Sequence, residues 1–421
     1  MAEIRPFRAV RPAQEYAARI AALPYDVYDE AEARKEAARE PLSFLCIDRA
    51  ETQLPEGTSP YCDAVYETAA ALFAKEQAEG YYIQEDEPCY YIYSLTMDGR
   101  TQTGLAACSA VSDYLSGICK KHENTVVKKE EDRIRHVQTL AAQTGPIFLA
   151  YHEKEEISAL IRDKMQEAAL YDFVSPDGVR HRVWKIGDPE AVSRLTELFE
   201  QEVPCTYIAD GHHRAASAVK AALSLREAAG KAAEAGTQEY DYFLSVLFPD
   251  SELAIMDYNR VVKDLNGFKP EEFLQKAGQS FEIEKMSAAD PIPSEKPWEK
   301  GEFHVYLDRN WYRFRLKKEL KEIRDKDVVK TLDVSALQEL VLEPLLGIGD
   351  PRTDERIEFV GGIRGIGILR DKADQYGGIA FSMHPTSIEE LMHVADAGCL
   401  MPPKSTWFEP KLRSGLLIHK L

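Results

Sequence analysis

The sequence predicts a mixed α/β protein of two domains, built from mixed sheets with helices. Short apolar runs of strand length alternate with amphipathic helical patterns along the chain, the pattern of α/β architectures. At 421 residues the chain exceeds one ordinary core of about 150 residues. Hydrophobic residues make up 44% and charged residues 29%, the balance of a folded rather than a disordered chain.

Taken in order, Ser59-Pro60 reads as the N-cap and first-turn proline of a helix with Val65, Ala69, Leu72 and Phe73 on one face, closed by Gly80. Tyr90 to Met97 and the run from Arg100 are two strands joined by Asp98-Gly99, a strong hairpin signal. Val111 to Ile118 is an apolar stretch, followed by a charged segment and a helix with Ile134, Val137 and Leu140 inward. A second hairpin is expected at 303–316, around Asp308-Arg309-Asn310. Residues 226–240 are rich in Ala, Gly and Glu and read as an exposed helix end or connector. Apolar periodicity weakens over 265–300, where prolines accumulate, so the domains are placed at 1–265 and 266–421.

Composition narrows the function. Asp and Glu total 71 against 52 Lys and Arg, a net charge of −19. Such a surface repels nucleic acid phosphates and anionic lipid unless a local basic site overrides it, so nucleic acid is disfavoured while small anions remain open. Apolar runs fall far short of the roughly 20 residues a membrane helix needs. Charges interrupt the N-terminus where a signal peptide needs its apolar segment. Seven scattered cysteines, with no Cys-x-x-Cys pair, form neither a disulfide framework nor a zinc ribbon. A reduced, cytoplasmic protein is expected, with no membrane partner.

The sharpest local feature is Thr206-Tyr207-Ile208-Ala209-Asp210-Gly211-His212-His213-Arg214, followed by an Ala-rich helical pattern. Gly211 can take the φ of a sharp strand-to-helix turn. The next residues then lie in the helix's first turn, where unpaired N–H groups favour an anion. His212, His213 and Arg214 add side-chain donors there, and a guanidinium grips phosphate bidentately. The blander alternative is a capping Asp210 with buried histidines, but cations at a helix N-terminus oppose its dipole.

The run TYIADGHHRAASA resembles the signature of the DUF1015 family of bacterial and archaeal proteins. IRPFRAVRP, LPYDVYDEAEA, KKHENTVVKKEEDR and MPPKSTWFEPKLRSGLLIHKL resemble it as well, so the likeness spans essentially the whole chain. The Asp-Gly-His-His-Arg turn is also similar to the phosphate-binding box of the ParB/sulfiredoxin-like superfamily, which includes free serine kinases, sulfiredoxins and CTP-binding partition proteins. That resemblance implies a ParB/sulfiredoxin-like core elaborated by a second α/β domain.

Three further segments carry candidate chemistry. In Lys120 to Arg133, His122-Glu123 is no zincin motif, because Val126 stands where a second histidine is required. Asn124 or Thr125 can cap the following helix, with Lys128, Lys129 and Arg133 reaching toward phosphates, although a solvated charged face explains the composition equally well. The family resemblance favours roles for His122, Glu123, Thr125, Lys129 and Arg133. Pro24-Tyr25-Asp26-Val27 can place Asp26 at a strand end as a general base or metal ligand, or can be a simple turn. Gly398 to Thr406 imitates a Walker A loop, but Pro403 replaces its second glycine and has no N–H for a phosphate, so a P-loop is rejected. Lys404, Ser405 and Thr406 are kept as phosphate ligands. Gly361-Gly362-Ile363-Arg364-Gly365 is a weaker glycine-rich turn.

The first functional expectation is phosphoryl transfer on a small hydroxylated metabolite, in the kinase or the phosphatase direction. Gly211, His212, His213 and Arg214 would hold phosphate, with Lys129, Arg133 or Lys404 neutralising charge. His122, Thr125, Ser405 and Thr406 complete the phosphate or nucleotide set. Asp26, Glu123, Asp210 and His213 are the catalytic candidates. Resemblance to the serine kinases implies free serine or phosphoserine, a nucleotide (ADP or ATP) and Mg²⁺. With no zinc-ligand spacing and no Gly-x-Gly-x-x-Gly, no zinc, NAD or flavin is expected. The alternative is a nucleotide-binding regulatory module of the ParB-like type without turnover. Metal-dependent hydrolysis through Asp210, His212 and His213 is weaker, since adjacent helical histidines point about 100° apart. A small phosphorylated metabolite or a nucleotide is the expected partner, and a homo-oligomer is left open.

Overall fold

Tyr90–Met97 and Arg100–Ala110 form the expected hairpin, with Met97 opposite Arg100. Asp98 and Gly99 both take positive φ, 50° and 79°, the geometry of a type I′ turn. A computed structural model describes residues 1–125, 127–230, 236–287 and 299–421, with the side chains of residues 127–129 outside the description. The Lys129 expectation, and parts of the 226–240 connector and the 265–300 stretch, therefore lie outside the described residues.

The chain forms two compact units, Met1–Leu253 with Pro410–Leu421, and Ala254–Glu409. The first domain was expected to end at 265. The compact units divide at 253, and the last twelve residues belong to the first unit.

Among the described residues the first unit is organised on a nine-stranded sheet. Its strands are β1 (Ile4–Arg5), β2 (Tyr90–Met97), β3 (Arg100–Ala110), β4 (Cys119–Lys120), β5 (Ile147–Tyr151), β6 (Tyr171–Val174), β7 (Arg180–Ile186), β8 (Thr206–Asp210) and β9 (Tyr242–Pro249). Their order is β4-β8-β5-β9-β3-β2-β7-β6, with β1 beside β3. β4 runs parallel to β8 and β5 parallel to β9, while the other pairs are antiparallel. The sheet is thus mixed, as the sequence predicts.

The helices that bear on the site or on the core beside it are α1 (Leu45–Asp48), α2 (Asp63–Ala78), α3 (Val127–Leu140), α4 (Pro189–Glu202) and α5 (His212–Ala229). Ala215, Ala218, Val219 and Ala222 follow helical spacing on α5 and pack with Ile147, Leu149, Ile208 and Phe243 in the main core. A second core joins Phe44, Leu45 and Ile47 to Val65, Ala69 and Phe73 of α2, with Leu140 and Ile418. The helix expected from Ser59 starts instead at Asp63, with Cys62 as its N-cap. The Ser59 hydroxyl accepts from the Tyr61 N–H at 3.4 Å, a local turn that competes with capping.

The buried face of α3 is rotated from the expected one. Arg133 and His136 are buried along with Leu140, whereas Ile134 and Val137 are only half-buried. A helix that turns an arginine and a histidine inward requires a polar interior beside it.

The second unit carries a six-stranded antiparallel sheet in the order Phe281–Lys285, Asn310–Leu316, Glu302–Leu307, Ile379–Ser382, Tyr258–Val262, Ile357–Gly361. Its hairpin turns on Asp308 and Arg309 alone, both at positive φ, because Asn310 already pairs with Leu307. The Gly367–Tyr376 helix covers the sheet through Leu369 and Ala373. Among the described residues no helix is long and apolar enough to cross a membrane.

Candidate functional site

The end of β8 is shaped by a register shift. Ile208 lies opposite Leu149 and Asp210 opposite Phe148, leaving Ala209 as an extra residue. Such bulges re-aim the side chains that follow. Gly211 then takes φ 94° and ψ 32°, and α5 begins at His212 with no side chain capping it. The Arg214 guanidinium folds back over this glycine: a Cβ at Gly211 would lie 3.1 Å from Nε. A Cβ at Gly145 would lie 3.6 Å from Arg214 Nη1 and 3.0 Å from the Ser414 hydroxyl. Two glycines therefore clear the space that the guanidinium occupies. Arg214 also donates to the Pro146 carbonyl.

Asp210 anchors the turn rather than standing ready as a base. Its Oδ1 accepts from the Gly211 N–H at 3.0 Å, and its Oδ2 lies 3.2 Å from Lys411 Nζ and 3.6 Å from an Arg214 nitrogen. Burial works to raise its pKa, but Lys411 and Arg214 outweigh it and hold the carboxyl well below the usual range.

Arg214 lines a cleft together with Tyr25, Asp48, Arg133, His136 and Ser414. An adjoining, roomier cleft shares Tyr25, Asp48, Arg133 and His136 and adds Asp26, Glu51 and Asp132. Arg133 lies 4.1 Å over the Tyr25 ring and donates to Asp132 at 2.8 Å, and Asp132 also accepts from the Tyr66 hydroxyl at 2.7 Å. Asp48, at the end of α1, is 5% exposed and accepts from the Thr144 hydroxyl at 3.1 Å. Burial pushes its pKa up, against the pull of Arg133, Ser414 and Thr144. His136 Nε2 faces it at 3.6 Å, and burial with the nearby Arg133 keeps that imidazole neutral at ordinary pH.

Sequence reasoning missed Asp48, Tyr25 and His136. The one signal for Asp48 was a carboxylate closing the apolar run Phe44-Leu45-Cys46-Ile47. Of the expected residues, Asp26 is exposed in a turn lining the second cleft. Thr125 bonds to Glu130, which pairs with Lys220. His122 and His212 pack edge to face at 4.5 Å, with Glu123 Oε2 3.8 Å from His212 Nδ1. Burial lowers the pKa of both imidazoles, that of His122 to about 4. His212 is therefore neutral at the start of α5, which lessens the conflict with the helix dipole that the sequence had suggested, and Asp210 faces the remaining cations Arg214 and Lys411.

Lys404, Ser405 and Thr406 belong to the second unit. There the Ser405 hydroxyl donates to the Pro402 carbonyl at 2.6 Å, and the Lys404 and Ser405 carbonyls accept from Arg260 and Thr386. Lys404 Nζ lies 5.7 Å over the Tyr258 ring. The segment is fixed by its own neighbours.

The family model described as "Protein of unknown function (DUF1015)" matches residues 4–335. The chain belongs to that family. The match ends before the C-terminal run, so the resemblance expected over the whole length is shown for 4–335. No curated protein matches. Among solved structures, a free serine kinase in complex with AMP is similar at 15% identity, over 74% of this chain and 91% of that one, with TM-score 0.33. A conserved hypothetical protein from Pyrococcus furiosus is similar at 15% identity over 74% and 93%, with TM-score 0.33. SbnI with a C-terminal truncation, from Staphylococcus aureus, is similar at 11% identity over 74% and 86%, with TM-score 0.37.

Proposed function

We propose that this protein is a nucleotide-dependent phosphotransferase acting on a small hydroxylated metabolite, with free serine or phosphoserine as the first substrates to test. The observation that carries the reading is the pairing of a buried arginine, Arg133, and a half-buried one, Arg214, with a buried carboxyl, Asp48, in one cleft beside the uncapped start of α5. Phosphoryl transfer depends mainly on positioning and on charge stabilisation of the transferring group. Arg214, in the first turn of α5, supplies donors on one side, and Arg133 supplies them on the other.

Asp48 is the general base of this reading, in place of Asp210. A carboxyl whose pKa is raised by burial takes a hydroxyl proton at neutral pH better than one clamped by two cations. Mg²⁺ prefers oxygen ligands and commonly takes one or two carboxylates plus phosphate oxygens. Asp26, exposed and lining the adjoining cleft, fits that requirement and would hold the ion with the phosphates. When bound, Mg²⁺ would neutralise phosphate charge. A phosphatase direction uses the same residues with water as the acceptor.

The direct test is to incubate the full chain and Mg²⁺ with serine and ADP or ATP, and separately with phosphoserine, following products by ³¹P NMR. Phosphoserine or released phosphate above the blank supports the reading. Nucleotide that raises the melting temperature with no product in either direction replaces it with the regulatory alternative.

A further inference from the structure

His122 and His212 come from distant parts of the chain, and the sheet brings them to one edge. β4 and β8 run parallel, with Cys119 beside Thr206 and Lys120 beside Tyr207. Two residues beyond the end of each strand stand His122 and His212, and Glu123 follows the first. One ligand atom from each of these three residues lies within 4.8 Å of the others.

We propose that His122, Glu123 and His212 form a binding site for a divalent transition-metal ion of the Zn²⁺ class. Two imidazoles and one carboxylate are the donor set of zinc and related ions, whereas Mg²⁺ and Ca²⁺ take oxygen. A second observation points the same way. His122 is 2% exposed, and its Nδ1 has no hydrogen-bond partner among the described residues. A buried polar atom left unsatisfied is costly and calls for a partner. The contact from the His122 N–H to His212 Nε2 is 3.5 Å, at the limit of a hydrogen bond, and gives way readily to a metal bond.

Four ligands around zinc at about 2.05 Å stand about 3.3 Å apart. The present separations, within 4.8 Å, are wider than that value, so binding an ion draws the three side chains together. The Glu123 side chain is 37% exposed against 5% for His212, so the ion has an entry side. Three protein ligands leave the fourth position open, as in catalytic rather than structural zinc sites. That position takes a water or an oxyanion, at the start of the helix that carries Arg214. The sequence expectation of no zinc rested on the lack of a local ligand spacing, and here the two histidines stand 90 residues apart.

The test needs no substrate, so it is independent of the phosphotransferase reading. The full chain, stripped with a chelator, is titrated with Zn²⁺ by calorimetry and with Co²⁺ by visible absorption. One ion per chain is expected, with ligand-field bands of a tetrahedral or five-coordinate Co²⁺ site. Glu123→Gln, on the open side, and His122→Asn should each weaken binding at least about tenfold. Thermal melts of both metal-free variants separate lost binding from lost fold. Wild-type protein that takes up no stoichiometric Zn²⁺ overturns the proposal. So does unchanged affinity in a folded Glu123→Gln variant together with a folded His122→Asn variant.

Discussion

Arg214 has little freedom. Its guanidinium donates to the Pro146 carbonyl, faces Asp210 and lies against the Cα positions of Gly145 and Gly211. It is therefore pre-organised, and a phosphate meets it without first ordering a long side chain. Arg214→Ala should weaken ADP binding by about 10- to 150-fold, the loss of about 1.5–3 kcal/mol from a charge-assisted hydrogen bond. Calorimetry with Arg214→Ala and wild type reads this directly, and equal affinities would remove the cleft as the phosphate site. Asp48→Asn makes a different prediction. The amide oxygen still accepts from Thr144, so the fold is kept and the cost of a buried carboxylate is relieved. Turnover should fall about 100-fold or more, the usual contribution of a general base, with the melting temperature unchanged or raised. Wild-type rates in Asp48→Asn would send the search for a base elsewhere. Arg214 was legible because the residues around it form a local motif. Asp48 was not, because its partner Thr144 stands 96 residues away and burial is set by the tertiary fold.

Hairpins were the easiest elements to read, since Asp98-Gly99 and Asp308-Arg309 fix the turn from within two residues. α3 shows why a helix face is harder. Apolar spacing pointed to Ile134, Val137 and Leu140; the structure keeps Leu140 buried and Val137 on the cleft, but puts Arg133 and His136 there in place of Ile134. The periodicity is helical either way, and the rotation of the face is set by tertiary partners far away in the sequence. α2 carries a related feature, a buried Glu76 that is 3% exposed. Burial, with repulsion from Glu79, raises its pKa from 4.5 to about 7, although Lys75 pulls it down. Below pH 4.5 the folded and unfolded states both hold the proton. Between 4.5 and 7 only the folded state keeps it, so stability falls as pH rises through that window and levels off above it. Glu76→Gln removes the titration. Its unfolding free energy should match wild type near pH 4.5 and exceed it at pH 8 by up to about 3 kcal/mol. Urea denaturation at the two pH values measures the difference, and a constant offset between the proteins would contradict the assignment.

At the scale of the molecule, Arg133, Arg214 and Lys411 all lie in the first unit of a chain with net charge −19, each beside a carboxylate, Asp132 or Asp210. Lys411 reaches Asp210 because Pro410–Leu421 return to the first unit, a step that no local pattern in the sequence could show. The tail is bound along its length. Lys411 pairs with Asp210, and Arg413 with Asp177. Gly415, at φ 78°, lies so close to Phe44 that a Cβ would stand 2.4 Å from its ring. Ile418 bridges Val10, and His419 and Lys420 pair with Gln143 and Ala142. Leu416, Leu417 and Ile418 are at most 2% exposed. At about 1.5–3 kcal/mol for each such side chain, their loss rivals the roughly 5–15 kcal/mol that holds an ordinary domain together. Ending the chain at Glu409 should therefore loosen the first unit while sparing the second, whose sheet lies wholly within Ala254–Glu409. Hydrogen exchange followed by mass spectrometry separates the two. Amides of β5, β8 and β9 should lose protection, and those of Tyr258–Val262 and Ile379–Ser382 should keep it. The same truncation removes the Lys411 clamp on Asp210, so ADP binding should weaken with the lost protection. Full protection of β8 after truncation would mean that the sheet and the α5 turn hold without the tail.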